Sequence, residues 1–242
     1  MAGDAVAPAA RHLRGPALTP EREPVWYVSY GSNACRERLD CYLRGGRAPG
    51  ARRVQPGARD RRPPSRSVPV HLPGRLRFAG RSRTWGGGMA FYDPHPGPPA
   101  PGPVLARAHL LTAQQLADVL VQEMHRDPVA VDLRLGLADL APHRPVAVGP
   151  GRYETVLRVA DVDGLPAVTL TAPDGGRSLP PNPPSPSYRA VLRAGLAEGH
   201  GLGAAAADAY LDGWVDAPDA DGPGRGHADP HGLRDHPPTP AG

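Results

Sequence analysis

Two short stretches carry residue types that could do acid–base and anion chemistry. The first, LTAQQLADVLVQEMHRDP (111–128), has a helix-starting signal: Thr112 followed by Gln115 is the spacing of a capping box. From that start, at 100° per residue, Leu116, Val119, Leu120 and Met124 fall at about 0°, 300°, 40° and 80°, and Glu123 falls among them at about 340°. A carboxylate in an apolar stripe must be paired, hydrogen-bonded or raised in pKa. A raised pKa is what a general acid/base working near neutrality requires. The competing reading narrows the stripe near the helix end and pairs Glu123 with Arg126 on the surface, and the helix alone does not choose. Asp118, His125 and Asp127 are expected to be solvated, the first two because they project away from the stripe.

The second stretch is VWYVSYGSNACRERLDCYL (25–43), in which an apolar run breaks at Tyr30-Gly31-Ser32-Asn33 before an amphipathic segment. A strand-to-helix turn aims backbone N–H groups outward at a helix N-terminus, which makes an anion or oxyanion site. Ser32 or Asn33 used as an N-cap explains the same four residues without any ligand. Both readings stay open on this segment alone.

The elements that must position these residues are short. Strand-like segments run over 25–30, 75–79, 89–92, 104–111, 153–162 and 167–171, and helical patterns over 34–43, 113–125 and 187–198. Asp163-Gly164 is the turn of a hairpin. Without regular βαβ alternation, the expected class is α+β, a small mixed β-barrel with flanking helices. The 242 residues include 33 Pro and 30 Gly, so much of the length is expected to be loop and tail around one domain. The boundaries expected are disordered tails at 1–23 and 217–242 and a domain over 24–216.

The net charge is +4 and every one of the 28 basic residues is arginine, a usage that reads as GC-rich coding and not as selection for a phosphate surface. The segment 44–74 holds eight of those arginines with no aromatic side chain and is expected to be a solvated loop. Nucleic acid is therefore the weakest of the partner readings. Cys35 and Cys41 fit neither a C-x-x-C metal site nor a disulfide framework. With no long apolar run and no leader-like N-terminus, a cytoplasmic protein with no membrane partner is expected.

Taken in order, WYVSYGSN, SRTWGGGMA, QLADVLVQE, RYETVLRV and PPSPSYRAVLRAGLAEGHGL resemble the gamma-glutamylcyclotransferase-like family over about residues 25–202. In PSPSY, Ser185 has the place of a helix cap and Pro186 of the first helical position. The resemblance implies a small barrel with a cavity between the first turn and the acidic helix. It also implies a reaction, closure of a γ-glutamyl group to 5-oxoproline with release of an amine or amino acid. Glu123 stands at the family's acid position as the catalytic residue. Tyr27, Tyr30, Gly31, Ser32, Asn33, Tyr153 and Tyr188 are the implied substrate-binding residues, and Trp85 is read as core. Neither metal nor cofactor is called for, a small-molecule γ-glutamyl substrate is the implied partner, and a homodimer is kept open. A family fold that binds a small molecule or partner without catalysis is the alternative. Three departures bear on the substrate: Ala34, where the family usually has Leu or Met and a wider pocket is expected; the insertion at 126–150, a lid or a plug; and the arginine-rich 44–74.

Overall fold

The structure, a computed structural model, describes residues 22–217 apart from 96, 98, 99, 132, 134, 135, 138 and 139. The expected tails, 1–23 and 217–242, fall outside that range but for Arg22, Glu23 and Ala217.

The chain begins with strand β1 (Pro24–Ser29), whose Val25 to Ser29 are all buried. Its side chains alternate between two cores: Trp26 and Val28 enter one, Val25 and Tyr27 the other. A strand covered on both faces reads as a continuous apolar run, which is why VWYV shows no polar alternation. Helix α1 (Arg36–Arg44) follows, then strands β2 (Arg66–Leu72), β3 (Arg75–Ala79), β4 (Met89–Asp93) and β5 (Val104–Thr112). Helix α2 (Ala113–Glu123) leads through the two-residue strand β6 (Val146–Ala147) to the hairpin β7 (Thr155–Val162) and β8 (Leu165–Thr171). Helices α3 (Pro186–His200) and α4 (Ala204–Val215) complete the described residues.

Six strands form one sheet in the order β2-β5-β1-β8-β7-β6, and β3 pairs with β4 in a second. β1 runs antiparallel to β5 but parallel to β8, with Trp26 opposite Ala167 and Tyr27 opposite Val168. The sheet is therefore mixed. The β3–β4 hairpin extends the wall beside β8, where Thr171 donates to the Tyr92 carbonyl at 2.6 Å and Tyr153 donates to that of Ala90 at 2.7 Å. The α+β architecture, a mixed half-barrel with helices packed on it, matches the class expected from the strand and helix pattern.

Several local expectations need correcting. The segment 44–74 is not a plain solvated loop: it contains β2, which pairs with β5 along its whole length, and Ala48, Ala51 and Ala58 are buried. Pro69 hid this strand, yet proline is tolerated there because β2 is an edge strand. The insertion 126–150 anchors itself by burying Leu137 and Leu140 in the second core, with Val148 packed against them. Helix α4 went unread because Gly203 offers no capping side chain. Its buried Ala207, Leu211 and Trp214 nevertheless have helical spacing.

Candidate functional site

The capping box at the start of α2 is formed as its spacing predicts: Gln115 N–H donates to Thr112 Oγ1 at 3.2 Å and Thr112 N–H to Gln115 Oε1 at 3.0 Å. This fixes the register that brings Glu123 to the last helical position. The helix is buried almost all round, so its apolar stripe is wider than the angular pattern implied. Asp118 corrects the expectation of solvation most sharply. It has no exposed surface and is gripped by Arg59, through Nη2 at 2.8 Å, Nε at 3.0 Å and the Arg59 backbone N–H at 2.8 Å.

After Glu123 the helix closes on His125, whose φ of 62° is left-handed, while Arg126 N–H reaches back to the Val121 carbonyl at 3.0 Å. Glycine is the usual residue at such a C-terminal position, and a β-carbon there carries a modest conformational cost. The conformation sets the His125 side chain at the rim of a cavity. His125 is exposed as expected, but it is not merely solvated.

That cavity, about 490 Å³, lies between the end of β1, the end of α2 and the start of α3. All eight residues read from the sequence as catalytic or substrate-binding line it: Glu123, Tyr27, Tyr30, Gly31, Ser32, Asn33, Tyr153 and Tyr188. Trp85 is buried as expected for a core residue, and it too faces the cavity, stacking on Tyr188 with ring centroids 5.6 Å apart. The glycines after Trp85 explain how the two meet. A β-carbon on Gly88 would stand 1.8 Å from the Asn182 carbonyl, and one on Gly87 would stand 2.3 Å from the Ser185 N, so only glycines let the chain before α3 lie across this segment. Ser185 then caps α3, accepting from Tyr188 N–H at 3.3 Å while its hydroxyl donates to the Trp85 carbonyl at 2.9 Å.

The turn itself differs from the simple strand-to-helix turn expected. A single 3-10 turn, Ser32–Ala34, intervenes, and α1 starts only at Arg36 with Cys35 before it, so neither Ser32 nor Asn33 caps the helix. Asn33 is freed for another task. Its Nδ2 donates to Glu123 Oε1 at 3.0 Å and to the Tyr27 hydroxyl at 3.1 Å. Ala34 and Cys35 N–H groups return to the Gly31 and Ser32 carbonyls, and among the described residues the Gly31 and Asn33 amides meet no acceptor. Gly31 has a φ of −110°, which any residue can adopt; its lack of a side chain matters because a β-carbon would come within 3.3 Å of the Tyr188 hydroxyl. Ala34 is absent from the cavity wall and packs on Gly195 of α3 instead, so the expected widening of the pocket at that position does not occur.

Glu123 is half-buried, open to the cavity but shielded from bulk solvent. Desolvation raises its pKa above the ordinary 4.5; the nearby Arg38 charge, hydrogen bonds from Tyr42 and Asn33, and the charge of Arg53 pull the other way. The tyrosines of the floor, Tyr27, Tyr30, Tyr153 and Tyr188, are all pushed upward by desolvation and remain neutral phenols. Two of their hydroxyls are already committed to the fold, Tyr30 to the Leu170 carbonyl at 2.7 Å and Tyr153 to that of Ala90.

Sequence reasoning missed three contributors. Arg38 is 2% exposed, stacked between Tyr42 and Trp85 with its guanidinium carbon 4.4 and 5.4 Å from the ring centres. Its Nη2 donates to the Tyr42 hydroxyl at 2.8 Å, and both side chains act to keep Glu123 ionised. Arg38 and Tyr42 share a face of α1 at i, i+4, a spacing that marked them as neighbours without hinting at burial. The third is His109 on β5, 1% exposed. Since the Asn33 carbonyl can only accept, the His109 Nε2 bears the proton that bonds it at 3.1 Å, and Nδ1 accepts from Ser67 at 2.8 Å. Desolvation chiefly, and then the charge of Arg107, pushes His109 down to about 3, so it stays neutral while it braces the Asn33 backbone. No sequence signal pointed to it, because its partners lie on distant segments.

Among the described residues no group of His, Cys, Asp and Glu is placed to hold a metal ion, and both cysteines are free and buried. Nor is any described helix long and apolar enough to cross a membrane.

No protein-family profile matches the chain. Histone deacetylase 5 of Arabidopsis thaliana is 33% identical over 211 residues, covering 80% of this chain but 31% of that protein. The chain thus spans about a third of the length of that curated relative. Among solved structures the chain is similar to a gamma-glutamyl cyclotransferase at 18% identity and a TM-score of 0.45, over 85% of this chain and 95% of that one. An uncharacterized protein from Homo sapiens is similar at 19% identity and a TM-score of 0.45, over the same shares.

Proposed function

We propose that the protein is a cyclotransferase acting on γ-glutamyl compounds, releasing 5-oxoproline and an amine or amino acid. One observation carries the reading. The Glu123 carboxylate, raised in pKa, and the Gly31-Ser32-Asn33 turn face a single cavity and are joined through the Asn33 side chain. The ordered motifs that resemble the gamma-glutamylcyclotransferase-like family support the same reaction.

In this mechanism the γ-glutamyl group lies folded on the tyrosine floor, with its α-amino nitrogen next to Glu123. Holding nucleophile and carbonyl within one small cavity supplies the proximity that ring closure needs. The α-amino group is largely protonated at neutrality, so Glu123 as carboxylate takes a proton from it. The nitrogen attacks the γ-carbonyl carbon, and the resulting oxyanion is met by the amides of the 31–33 turn. As the intermediate collapses, the bond from the γ-carbon to the leaving nitrogen breaks and Glu123 returns its proton to that nitrogen. The second surplus proton of the former α-amino nitrogen, now in the ring, is then taken by Glu123 and passed to the released amine, which leaves as its ammonium ion. Protons balance, and no metal or cofactor enters. Asn33 holds the carboxylate in place, and Arg38 and Tyr42 favour its ionised form.

The test is 5-oxoproline release from a panel of γ-glutamyl amino acids and γ-glutamyl amines by the full chain and by Glu123→Gln. Release by the wild type and a loss of about 100- to 10,000-fold in kcat for the variant are expected. A wild type that releases none, or a variant of full activity, overturns the assignment.

A further inference from the structure

Above the buried tyrosines the cavity wall is arginine. Arg81, Arg83, Arg126 and Arg152 line it and all four are exposed, while Glu123 is the one acid that lines it among the described residues. Arg152 Nη1 donates to the Arg81 carbonyl at 3.2 Å, joining the segment before β4 to the segment before β7. Some arginines elsewhere on this molecule are neutralised by acids: Arg62 by Asp60, Arg66 by Asp163, and the half-buried Arg189 by Asp208 and Asp212. Among the described residues the four at the cavity have no such partner. The acids adjoining this wall in sequence are used by backbone amides instead: Asp127 accepts from the Val129 N–H at 2.9 Å and Glu154 from the Gly151 N–H.

These charges converge. After desolvation, the charges of Arg53, Arg83 and Arg152 act together on His125 and hold its imidazole near 4, so it is neutral at pH 7. Guanidinium groups gathered on a concave wall without counter-ions repel one another, and an anion entering between them relieves that repulsion. Their planar forks suit carboxylates, which they can grip bidentately. The cavity has room for this: about 490 Å³ is in the range of sites that enclose a whole small ligand, roughly 300–1,000 Å³.

From this we infer that the preferred substrate is a γ-glutamyl compound whose leaving part is itself acidic, its carboxylates received by the rim arginines, Arg83 and Arg152 foremost. The inference rests on the cyclotransferase reading for the γ-glutamyl end, which lies against Glu123 and the 31–33 turn. A cationic leaving part, such as a polyamine, is repelled by the same rim.

Binding and turnover separate the two claims. Glu123→Gln is titrated calorimetrically with γ-glutamylglutamate, γ-glutamylalanine, γ-glutamylethylamide and γ-glutamylputrescine, whose leaving parts run from dianionic to cationic. Affinity is expected to fall in that order by about three- to tenfold per charge at low salt, and the spread to shrink as ionic strength rises. In Arg83→Gln/Arg152→Gln the gap between γ-glutamylglutamate and γ-glutamylethylamide is expected to close by about tenfold or more. Equal binding of neutral and dianionic compounds, a spread indifferent to salt and to the double substitution, or no binding by any of the four overturns the inference. The wild type is assayed for 5-oxoproline on the same panel: ordered binding without turnover removes the reaction and leaves the acidic-ligand assignment standing, whereas turnover without charge preference does the reverse.

Discussion

Asp118 and Glu123 are acids of one helix, about one and a half turns apart, and the chain treats them in opposite ways. Asp118 is wholly enclosed, and its oxygens accept the Arg59 side chain and the Arg59 backbone N–H. Glu123 is half-buried against open space and held by the Asn33 amide, and the buried cation that acts on it, Arg38, is itself bonded to the Tyr42 hydroxyl. Burial by itself does not single out the acid proposed for chemistry, since the deeper of the two is the one locked in an ion pair. What separates them is whether the lone pairs are used up and whether a reacting atom has room beside them.

Exchanging the readouts of the two residues puts the largest strain on this contrast. Glu123→Gln keeps shape and an acceptor for Asn33 while removing a desolvated charge, so stability should hold or rise slightly as 5-oxoproline release collapses. Asp118→Ala leaves the Arg59 side chain, 27% exposed, without its buried partner. The loss for breaking a buried pair is about 3–5 kcal/mol, and the partial exposure of Arg59 reduces it to about 2–3 kcal/mol. Urea unfolding of both variants decides: a destabilised Glu123→Gln beside an unperturbed Asp118→Ala would erase the distinction.

A finer probe asks whether the environment of Glu123 sets its working pH. Burial raises the carboxylate pKa and Arg38 is the largest influence lowering it, so Arg38→Met moves it further up. The base must be ionised, and the acid limb of kcat/KM accordingly shifts to higher pH in the variant. Its activity deficit is greatest on the acid side and narrows as pH rises. A purely structural role for Arg38 would depress the profile evenly at every pH, which the measured profile tests directly. Tyr42→Phe removes a hydroxyl that favours the ionised form and shifts the limb in the same direction.

The unequal legibility of these residues has a physical basis. Local signals were reliable: the Thr112–Gln115 box and the Ser185 cap involve partners three residues apart, and each formed where its spacing put it. Glu123 was visible because an acid in an apolar stripe is a local contradiction. Asp118 was misjudged because its partner Arg59 lies in a segment whose prolines and arginines resemble solvated loop, so nothing nearby announced a buried pair. Arg38 and His109 stayed hidden for a related reason. Their significance comes from being enclosed among β1, α2 and the turn, which no periodicity within α1 or β5 encodes. Even Gly31 was legible only in part, since the sequence offered it as one residue of an anion-binding turn and the structure supplies a further cause, the approach of Tyr188.

That cause yields the smallest of the expected effects and the most exacting. Alanine at Gly31 brings a β-carbon to 3.3 Å from the Tyr188 hydroxyl and 3.8 Å from the Ala90 side chain, so the hydroxyl must move by a few tenths of an ångström. The backbone accepts the substitution, and the loss of freedom in the unfolded chain offsets the tight contact, leaving stability within about 1 kcal/mol. Activity is more sensitive, because Tyr188 shares the cavity floor with the turn and misplacement by about 1 Å can cost up to ~100-fold; for this smaller shift a loss of about two- to fivefold in kcat/KM is expected. Tyr188→Phe removes the atom that is crowded. In that background Gly31→Ala should cost nothing further, a coupling read from the double-mutant cycle. An equal penalty with and without the hydroxyl would mean that the glycine serves the ligand directly, returning the turn to the reading of a backbone nest in which the amides, and not the packing, set the demand.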